Sequence, residues 1–131
     1  MSTPIHFEEP ARLSQQDFNQ FADLSGDHNP IHVDPDYSSG TRFGATVSHG
    51  MLLFTKLRGC LHRHFPKHRL AEQQLMFPAP AYAEENLVIQ VDSAPTQDKG
   101  PLSVATRILK ADGSACLEGR CILEPDTGNA P

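Results

Sequence analysis

The sequence predicts an α+β domain in which one long helix packs against an antiparallel sheet. The chain has 131 residues, the size of one domain. Residues 48–64 carry apolar side chains at helical spacing, and alternating apolar segments follow Pro66. One apolar helix followed by strands that run back and forth is typical of the α+β class.

The long helix has the clearest signal. Its apolar residues recur at steps of three and four and include Met51, Phe54, Leu57, Cys60 and Leu61, with Leu52 and Leu53 widening the face. A shorter helix is predicted over residues 14–24. Ser14 is its expected cap, Asp17 completes a capping box, and Leu13 packs on Phe18. Ser25-Gly26 ends this helix.

Strands are predicted over residues 70–77, 87–94, 102–110 and 114–123. Asp112-Gly113 is a strong tight-turn signal between the last two strands. Residues from about 124 to 131 are expected to be a frayed tail of this single domain. Residues 27–45 have little periodicity and several turn dipeptides, so we expect an irregular segment, and long ordered loops of this kind are usually functional.

Composition narrows the class of protein. The formal net charge is −5, which disfavours a general nucleic-acid partner. The three cysteines form no CxxC pair, unlike a secreted disulfide scaffold. The chain opens with a polar segment, and no apolar run approaches the ~18 residues of a membrane span. We therefore expect a soluble cytoplasmic protein that binds neither nucleic acid nor membrane.

Asp27 and His32 are the first candidate chemical residues. They flank Asn29-Pro30-Ile31, and the proline biases the preceding chain away from a helix. An aspartate and a histidine on a bent loop can converge on one water as acid and base. Taken alone, however, this segment is more simply interpreted as a common Asx-Pro turn.

A second candidate is the start of the long helix at Ser48-His49-Gly50. Unpaired N–H groups and the positive end of the helix dipole face outward there. A glycine lets a carbonyl approach the backbone closely, as an oxyanion hole requires. The alternative, an ordinary helix start with a small residue, is stronger without other information.

In order, the two segments resemble the signature of the MaoC-like, or hydratase 2, family. The matching residues are Ser25-Gly26-Asp27-x-Asn29-Pro30-Ile31-His32-x-Asp34, then Tyr37, Phe43 and Val47-x-His49-Gly50-Met51-Leu52. The resemblance extends more loosely over the remaining chain. It implies a hot-dog fold, in which a curved antiparallel sheet wraps a long central helix, and a homodimer with its acyl tunnel near the interface.

By the same resemblance, Asp27 and His32 are the catalytic pair. They would add water across the C2–C3 bond of a 2-enoyl thioester, or remove it from the (R)-3-hydroxyacyl product. The Gly50 amide would hold the thioester carbonyl, and Asn29, Ser48 and His49 are expected to contact the substrate. Coenzyme A or phosphopantetheine would carry the acyl group, with an acyl carrier protein as a further partner. We expect no metal and no other cofactor.

Two departures from the family pattern are visible. Related hydratases often have a small polar residue near the substrate, about two helical turns after the helix glycine, where this chain has Arg58. The family also often has a glycine-aspartate step after the Phe-Pro strand end, where this chain reads Ala83-Glu84-Glu85.

A basic cluster lies at the end of the long helix. Its members are Arg63, Lys67 and Arg69, with His62, His64 and His68. Cations favour helix C-termini, so a solvated surface is the simple interpretation. The functional interpretation is a landing site for the phosphates of coenzyme A or phosphopantetheine, or for an acidic carrier protein. Arg58 is also expected to contact the substrate, where it would affect the shape of the acyl pocket. A zinc site made by these histidines and Cys60 fits no strong template.

Two other functions remain open at this stage. Hot-dog proteins also hydrolyse acyl-CoA as thioesterases, although the spacing of Asp27 and His32 disfavours this. A non-catalytic acyl-binding subunit is the third hypothesis, and the presence of both catalytic candidates disfavours it.

Overall fold

The computed structural model describes residues 4–93 and 100–126. Its elements are β1 (Ile5–Ala11), α1 (Gln15–Ser25), α2 (Pro30–Val33), α3 (Pro35–Ser39), α4 (Gly50–His64), β2 (His68–Gln73), β3 (Leu87–Ser93), β4 (Leu102–Leu109) and β5 (Ala115–Pro125). The strands form an antiparallel sheet in the order β1-β3-β4-β5-β2. The predicted α+β class is confirmed.

The core lies between α4 and the sheet. Along β3 and β4 every second residue is buried, so each strand presents one apolar face. The buried residues of α4 are Leu52, Leu53, Leu57, Cys60 and Leu61, and they belong to the same apolar cluster. Leu57 is fully buried, and burial of such a side chain contributes roughly 1.5–3 kcal/mol. The predicted helix face is therefore confirmed for these five buried residues, but Met51, which was placed on the same face, is exposed and Phe54 is only partly buried.

The N-terminal helix α1 begins and ends as the sequence predicts. The Ser14 hydroxyl accepts from the Asp17 amide at 3.0 Å, and the Asp17 carboxylate accepts from the Ser14 amide at 2.8 Å. Gly26 ends the helix with a φ of 81°, in the left-handed region that glycine adopts without strain. Phe18 is fully buried and anchors the helix on the core.

The segment predicted to be irregular contains two short helices, so that expectation is wrong for α2 and α3. Each begins with an Asx side chain followed by proline at the first helical position. Asn29 accepts from the Ile31 amide at 3.1 Å, and Asp34 accepts from the Tyr37 amide at 3.1 Å. The same residues that mark turns in sequence therefore start helices here.

Strand β1 was not predicted from the sequence. Within the described part of the chain it pairs with β3 alone, at the edge of the sheet, where three of its seven residues are exposed and the other four are only partly buried. Two glutamates and Pro10 hide its alternation, and proline is tolerated at an edge because a lost donor there breaks no central ladder.

The expected tail is wrong at its start, because Glu124 and Pro125 continue β5 and pair with Arg69 and His68. Residues 127–131 of that tail, and residue 94 of a predicted strand, lie outside the described residues. The strand predicted over residues 70–77 is shifted to His68–Gln73, with Met76 forming an isolated bridge to Glu118. Within the described residues no helix is long and apolar enough to cross a membrane.

Candidate active site

The structure brings Asp27 and His32 together. Asp27 follows the glycine that ends α1, and His32 lies on α2. The Oδ2 atom of Asp27 is 3.7 Å from Nε2 of His32, and the two side chains are 54% and 14% exposed. His32 is therefore largely enclosed by the protein, whereas the Asp27 side chain is accessible to solvent.

A backbone contact determines the tautomer of His32. Its Nδ1 lies 2.8 Å from the carbonyl oxygen of Val47. A carbonyl only accepts, so Nδ1 carries the hydrogen and Nε2 presents its lone pair toward Asp27. A lone pair and a carboxylate oxygen do not bond to one another, but two acceptors at this separation can both accept from one water molecule.

The two carboxylate oxygens of Asp27 have different environments. Oδ1 accepts from the Asn29 amide at 3.2 Å in an Asx turn, while Oδ2 faces His32. The Asp27 amide donates to the Ser25 hydroxyl at 3.2 Å. Asn29, expected to contact substrate, uses its side-chain oxygen to cap α2. The turn interpretation of this segment is thus correct, and the turn orients the carboxylate.

His49 is buried directly beside the pair, at 3% exposure. Its Nε2 donates to the main-chain carbonyl of Asp27 at 3.0 Å. Its ring stacks on His32 with centroids 3.9 Å apart and planes at 24°. Burial is the main cause that lowers the pKa of His49, and the nearby His32 adds to it. His49 therefore stays neutral near neutral pH.

The helix α4 begins at Gly50, two residues later than predicted, with His49 as an N-cap that gives no side-chain bond. The Ser48 hydroxyl donates to the His49 carbonyl at 2.9 Å, so it does not cap the helix. The Leu53 amide makes the first bond of the helix, to the His49 carbonyl at 3.4 Å. The amides before it, including that of Gly50, point out of the positive helix end.

Phe77 packs on Gly50 and was not recognised as a site residue. A Cβ atom at Gly50 would lie 2.9–3.1 Å from three carbons of the Phe77 ring. Both residues line a cleft of about 320 Å³, walled mainly by apolar side chains such as Phe43 and Leu53, with Arg42 as its one charged residue. The sequence signal for Phe77 was only its place before Pro78 at a strand end.

The expected phosphate-binding residues do not form one cluster. Arg63 pairs with Glu9, and Arg69 pairs with Glu124. Arg58 and Arg69 line a cleft of about 280 Å³ near the end of α4, while Arg63 lines a different groove, between α1 and α4. Lys67 is exposed. All of these lie toward the opposite end of α4 from Gly50.

Two groups of donor atoms within the described ranges are close enough to share a metal ion. One is Asp27, His32 and His49, and the other is Glu9, Cys60 and His64; in each, the donors lie within 4.8 Å of one another. Of the zinc ligands considered from sequence, only Cys60 and His64 come together. Burial and the Glu9 carboxylate raise the pKa of the Cys60 thiol to about 12, so the free site holds a thiol rather than a thiolate.

The fold and the residue pair define a family. The profile described as MaoC like domain matches residues 1–111. The chain therefore belongs to the MaoC-like domain family, as its motif predicted.

Two curated relatives are similar over most of their length. The (R)-specific enoyl-CoA hydratase of Aeromonas caviae is 30% identical over 123 residues, covering 88% of this chain and 92% of that protein. The 3-hydroxyacyl-thioester dehydratase Z of Mycobacterium tuberculosis is 28% identical over 121 residues, covering 86% and 79%.

Solved structures confirm the hot-dog fold. The (R)-hydratase of Aeromonas caviae superposes with a TM-score of 0.82 at 27% identity, over 95% of both chains. An unliganded R-hydratase of Pseudomonas aeruginosa superposes with a TM-score of 0.87 at 24% identity, over 95% of this chain and 82% of that one.

Proposed function

We propose that this protein hydrates trans-2-enoyl thioesters to (R)-3-hydroxyacyl thioesters, or catalyses the reverse dehydration. Its relatives make it a hydratase or dehydratase, a carbon–oxygen lyase. The observation that carries the finer proposal is the pair of acceptors, Asp27 Oδ2 and His32 Nε2, which face each other at 3.7 Å. Such a pair orients one water molecule and takes a proton from it.

In the proposed step, Asp27 and His32 accept the two hydrogens of a water molecule, and its oxygen attacks C3 of the enoyl group. The electrons of the C2–C3 double bond move toward the thioester carbonyl. The Gly50 amide stabilises the charge that develops on the carbonyl oxygen. The pair takes one proton from the water and passes it to C2, so both added groups come from that water and the pair is regenerated.

The direct test is hydration of crotonyl-CoA, followed by the loss of enoyl absorbance. Asp27→Asn and His32→Ala should each reduce kcat by roughly 10²–10⁴-fold. Asp23→Asn is the matched control, because Asp23 is an exposed aspartate that pairs with His28, and it should retain wild-type kcat. Full activity in Asp27→Asn would overturn the assigned mechanism.

Two further measurements define the reaction. Oxidation of the product by an (R)-specific but not an (S)-specific 3-hydroxyacyl dehydrogenase supports the stereochemistry. Release of free thiol from the thioester, measured with a thiol reagent, would identify a thioesterase instead. Ligand-dependent thermal stabilisation without turnover at any chain length would identify a non-catalytic acyl-binding subunit.

The carrier of the acyl group is proposed to be coenzyme A or the phosphopantetheine of a carrier protein. Arg58 and Arg69 are the proposed phosphate ligands, since they share a cleft with His62 and His68. Arg58 lies eight residues beyond Gly50, which corresponds to about 12 Å along the helix axis. Arg58→Ala should raise KM for crotonyl-CoA but not for the crotonyl thioester of N-acetylcysteamine, which has no phosphate. An equal KM increase with both substrates would contradict this assignment.

The proposed assembly is a homodimer. Met51, Met76 and Phe77 are 52%, 60% and 45% exposed, and Met51 and Phe77 both adjoin Gly50. Large apolar side chains grouped on a surface mark interaction sites. Light scattering should give twice the chain mass, and Met76→Glu should shift the protein toward monomer. A monomer at all concentrations would contradict the proposal.

A further inference from the structure

We infer that His49 is a positioning residue, which holds Asp27 and His32 in their relative places through one hydrogen bond and one ring stack. The inference rests on the proposed function and changes the role expected for His49, which sequence reasoning assigned to the substrate. It concerns a residue that touches both members of the pair.

The hydrogen bond fixes the backbone of Asp27. The His49 Nε2 donor lies 3.0 Å from the Asp27 carbonyl oxygen, so Nε2 carries the hydrogen and Nδ1 the lone pair. Asp27 lies in the non-helical stretch between α1 and α2, and its other hydrogen bonds within the described residues are local, to Ser25 and Asn29. His49 links this stretch to the start of α4, which carries the proposed carbonyl-binding amide of Gly50.

The ring stack fixes His32. The two imidazoles lie 3.9 Å apart at 24°, so the His49 ring covers one face of the proposed base. Phe21 of α1 meets the His49 ring edge-on, with centroids 4.9 Å apart. The His49 ring therefore packs against Phe21 of α1 and against His32. These two contacts restrict the motion of all three rings.

The charge state of His49 supports this role. The titratable groups around it are Asp27, His32 and His28. When His32 holds a proton during the proposed reaction, a neutral neighbour avoids repulsion between two stacked cations. Nδ1 of His49 is buried and has no hydrogen-bond partner among the described residues, as suits a ring that is not protonated there.

Positioning has a distinct kinetic effect. A displacement of about 1 Å in a catalytic group can cost roughly 10²-fold in rate without a change in substrate affinity. A residue that binds substrate directly would instead change KM. The two roles for His49 are therefore separable by experiment.

Three variants separate the hydrogen bond that His49 donates from the stacking of its ring. His49→Gln keeps an N–H donor near the Nε2 position, His49→Phe keeps a flat ring for stacking, and His49→Ala keeps neither. With crotonyl-CoA, His49→Ala should lower kcat by about 10²-fold with KM within about twofold, and the other two variants should each recover part of the loss. His28→Gln, in the same segment but exposed, is the control and should keep wild-type kcat.

A second readout does not depend on activity. The ¹⁵N chemical shifts of the His32 ring report its tautomer. We expect these shifts to change in His49→Phe and His49→Ala but not in His28→Gln, with folding checked by circular dichroism. Unchanged His32 signals, wild-type kcat in His49→Ala, or a loss confined to KM would each overturn the inference. If the wild type has no hydratase activity but the His49 variants still alter the His32 signals, the proposed function is overturned and the positioning role of His49 is retained.

Discussion

His32 donates from Nδ1 to the carbonyl oxygen of Val47 at 2.8 Å, and this bond decides which ring nitrogen faces Asp27. Val47 lies fifteen residues further along the chain, immediately before the Ser48-His49-Gly50 start of α4. The same stretch therefore sets the orientation of the proposed base and presents the proposed carbonyl-binding amide. Both parts of the site depend on where residues 47–50 lie.

This bond predicts different stabilities for two inactive variants. His32→Asn can still place a donor near the Nδ1 position, whereas His32→Gln places its amide near the Nε2 position. Neither amide is a base, so both should lose about 10²-fold or more in kcat. His32→Gln should also be less stable than His32→Asn by about 1 kcal/mol, the contribution of one hydrogen bond. Urea denaturation measures this difference, and equal stabilities would show that the Val47 bond contributes nothing.

The contact between Gly50 and Phe77 predicts non-additive effects. An added Cβ at Gly50 would meet the ring at 2.9–3.1 Å, so Gly50→Ala should destabilise the protein by about 1 kcal/mol as the ring shifts. In a Phe77→Ala background the same change should be neutral or stabilising, because alanine favours the helix. A double-mutant cycle by denaturant unfolding tests this coupling. The same cost of Gly50→Ala in both backgrounds would refute the steric explanation.

Glu84 carries backbone strain in the loop that precedes β3. Its φ is 64°, a left-handed conformation that costs a residue with a Cβ about 1 kcal/mol or more. Glu84→Gly should relieve this strain but lose the ion pair with Arg12 at 3.2 Å, in which both side chains are more than half exposed. Such exposed pairs contribute at most about 1 kcal/mol.

The control for this prediction is Glu84→Ala, which loses the ion pair but keeps the Cβ. Glu84→Gly should be more stable than Glu84→Ala by about 1 kcal/mol in chemical denaturation. An alanine variant as stable as the glycine variant would mean that the backbone there is not strained. The neighbouring Glu85 accepts from the Tyr82 amide at 3.0 Å and thereby helps to hold this turn.

Long periodic elements were predictable because burial of a whole face leaves a repeated signal. Leu57 on α4 and Ile89 on β3 are members of such patterns and lie in the core. Strand β1 was missed because an edge strand buries little and Pro10 breaks its pattern. The short helices α2 and α3 were missed because an Asx residue followed by proline marks either a turn or a helix start, and tertiary contacts decide between them.

The site was predictable to the extent that its chemistry is local in sequence. The spacing of Asp27 and His32 placed two acceptors together, and this agrees with the structure. The contacts that His49 makes with Asp27 and His32, and that Phe77 makes with Gly50, join distant segments, and no local pattern records them. The basic residues near the end of α4 were predicted to form one group and do not. Arg63 and Arg69 pair with Glu9 and Glu124, each more than fifty positions away in the sequence.

The burial of His49 predicts a pH-dependent contribution to stability. Burial is the main cause that lowers its pKa below the ordinary value of 6.5. Just below pH 6.5, His49 is therefore protonated in the unfolded chain but still neutral in the folded protein. The contribution of neutral His49 is therefore fully present above pH 6.5 and is lost as the pH falls toward the lowered pKa. His49→Gln should lack this dependence.

The measurement is the free energy of unfolding of the wild type and of His49→Gln at about pH 8 and about pH 5.5, on either side of the ordinary histidine pKa. The advantage of the wild type should be larger at the higher pH. The pKa values of His6 and His28 are raised by Asp92 and Asp23, and this opposite effect is common to both proteins, so it cancels in their difference. A wild-type advantage that does not change with pH would mean that His49 titrates alike in the folded and unfolded protein, and that its burial does not lower its pKa.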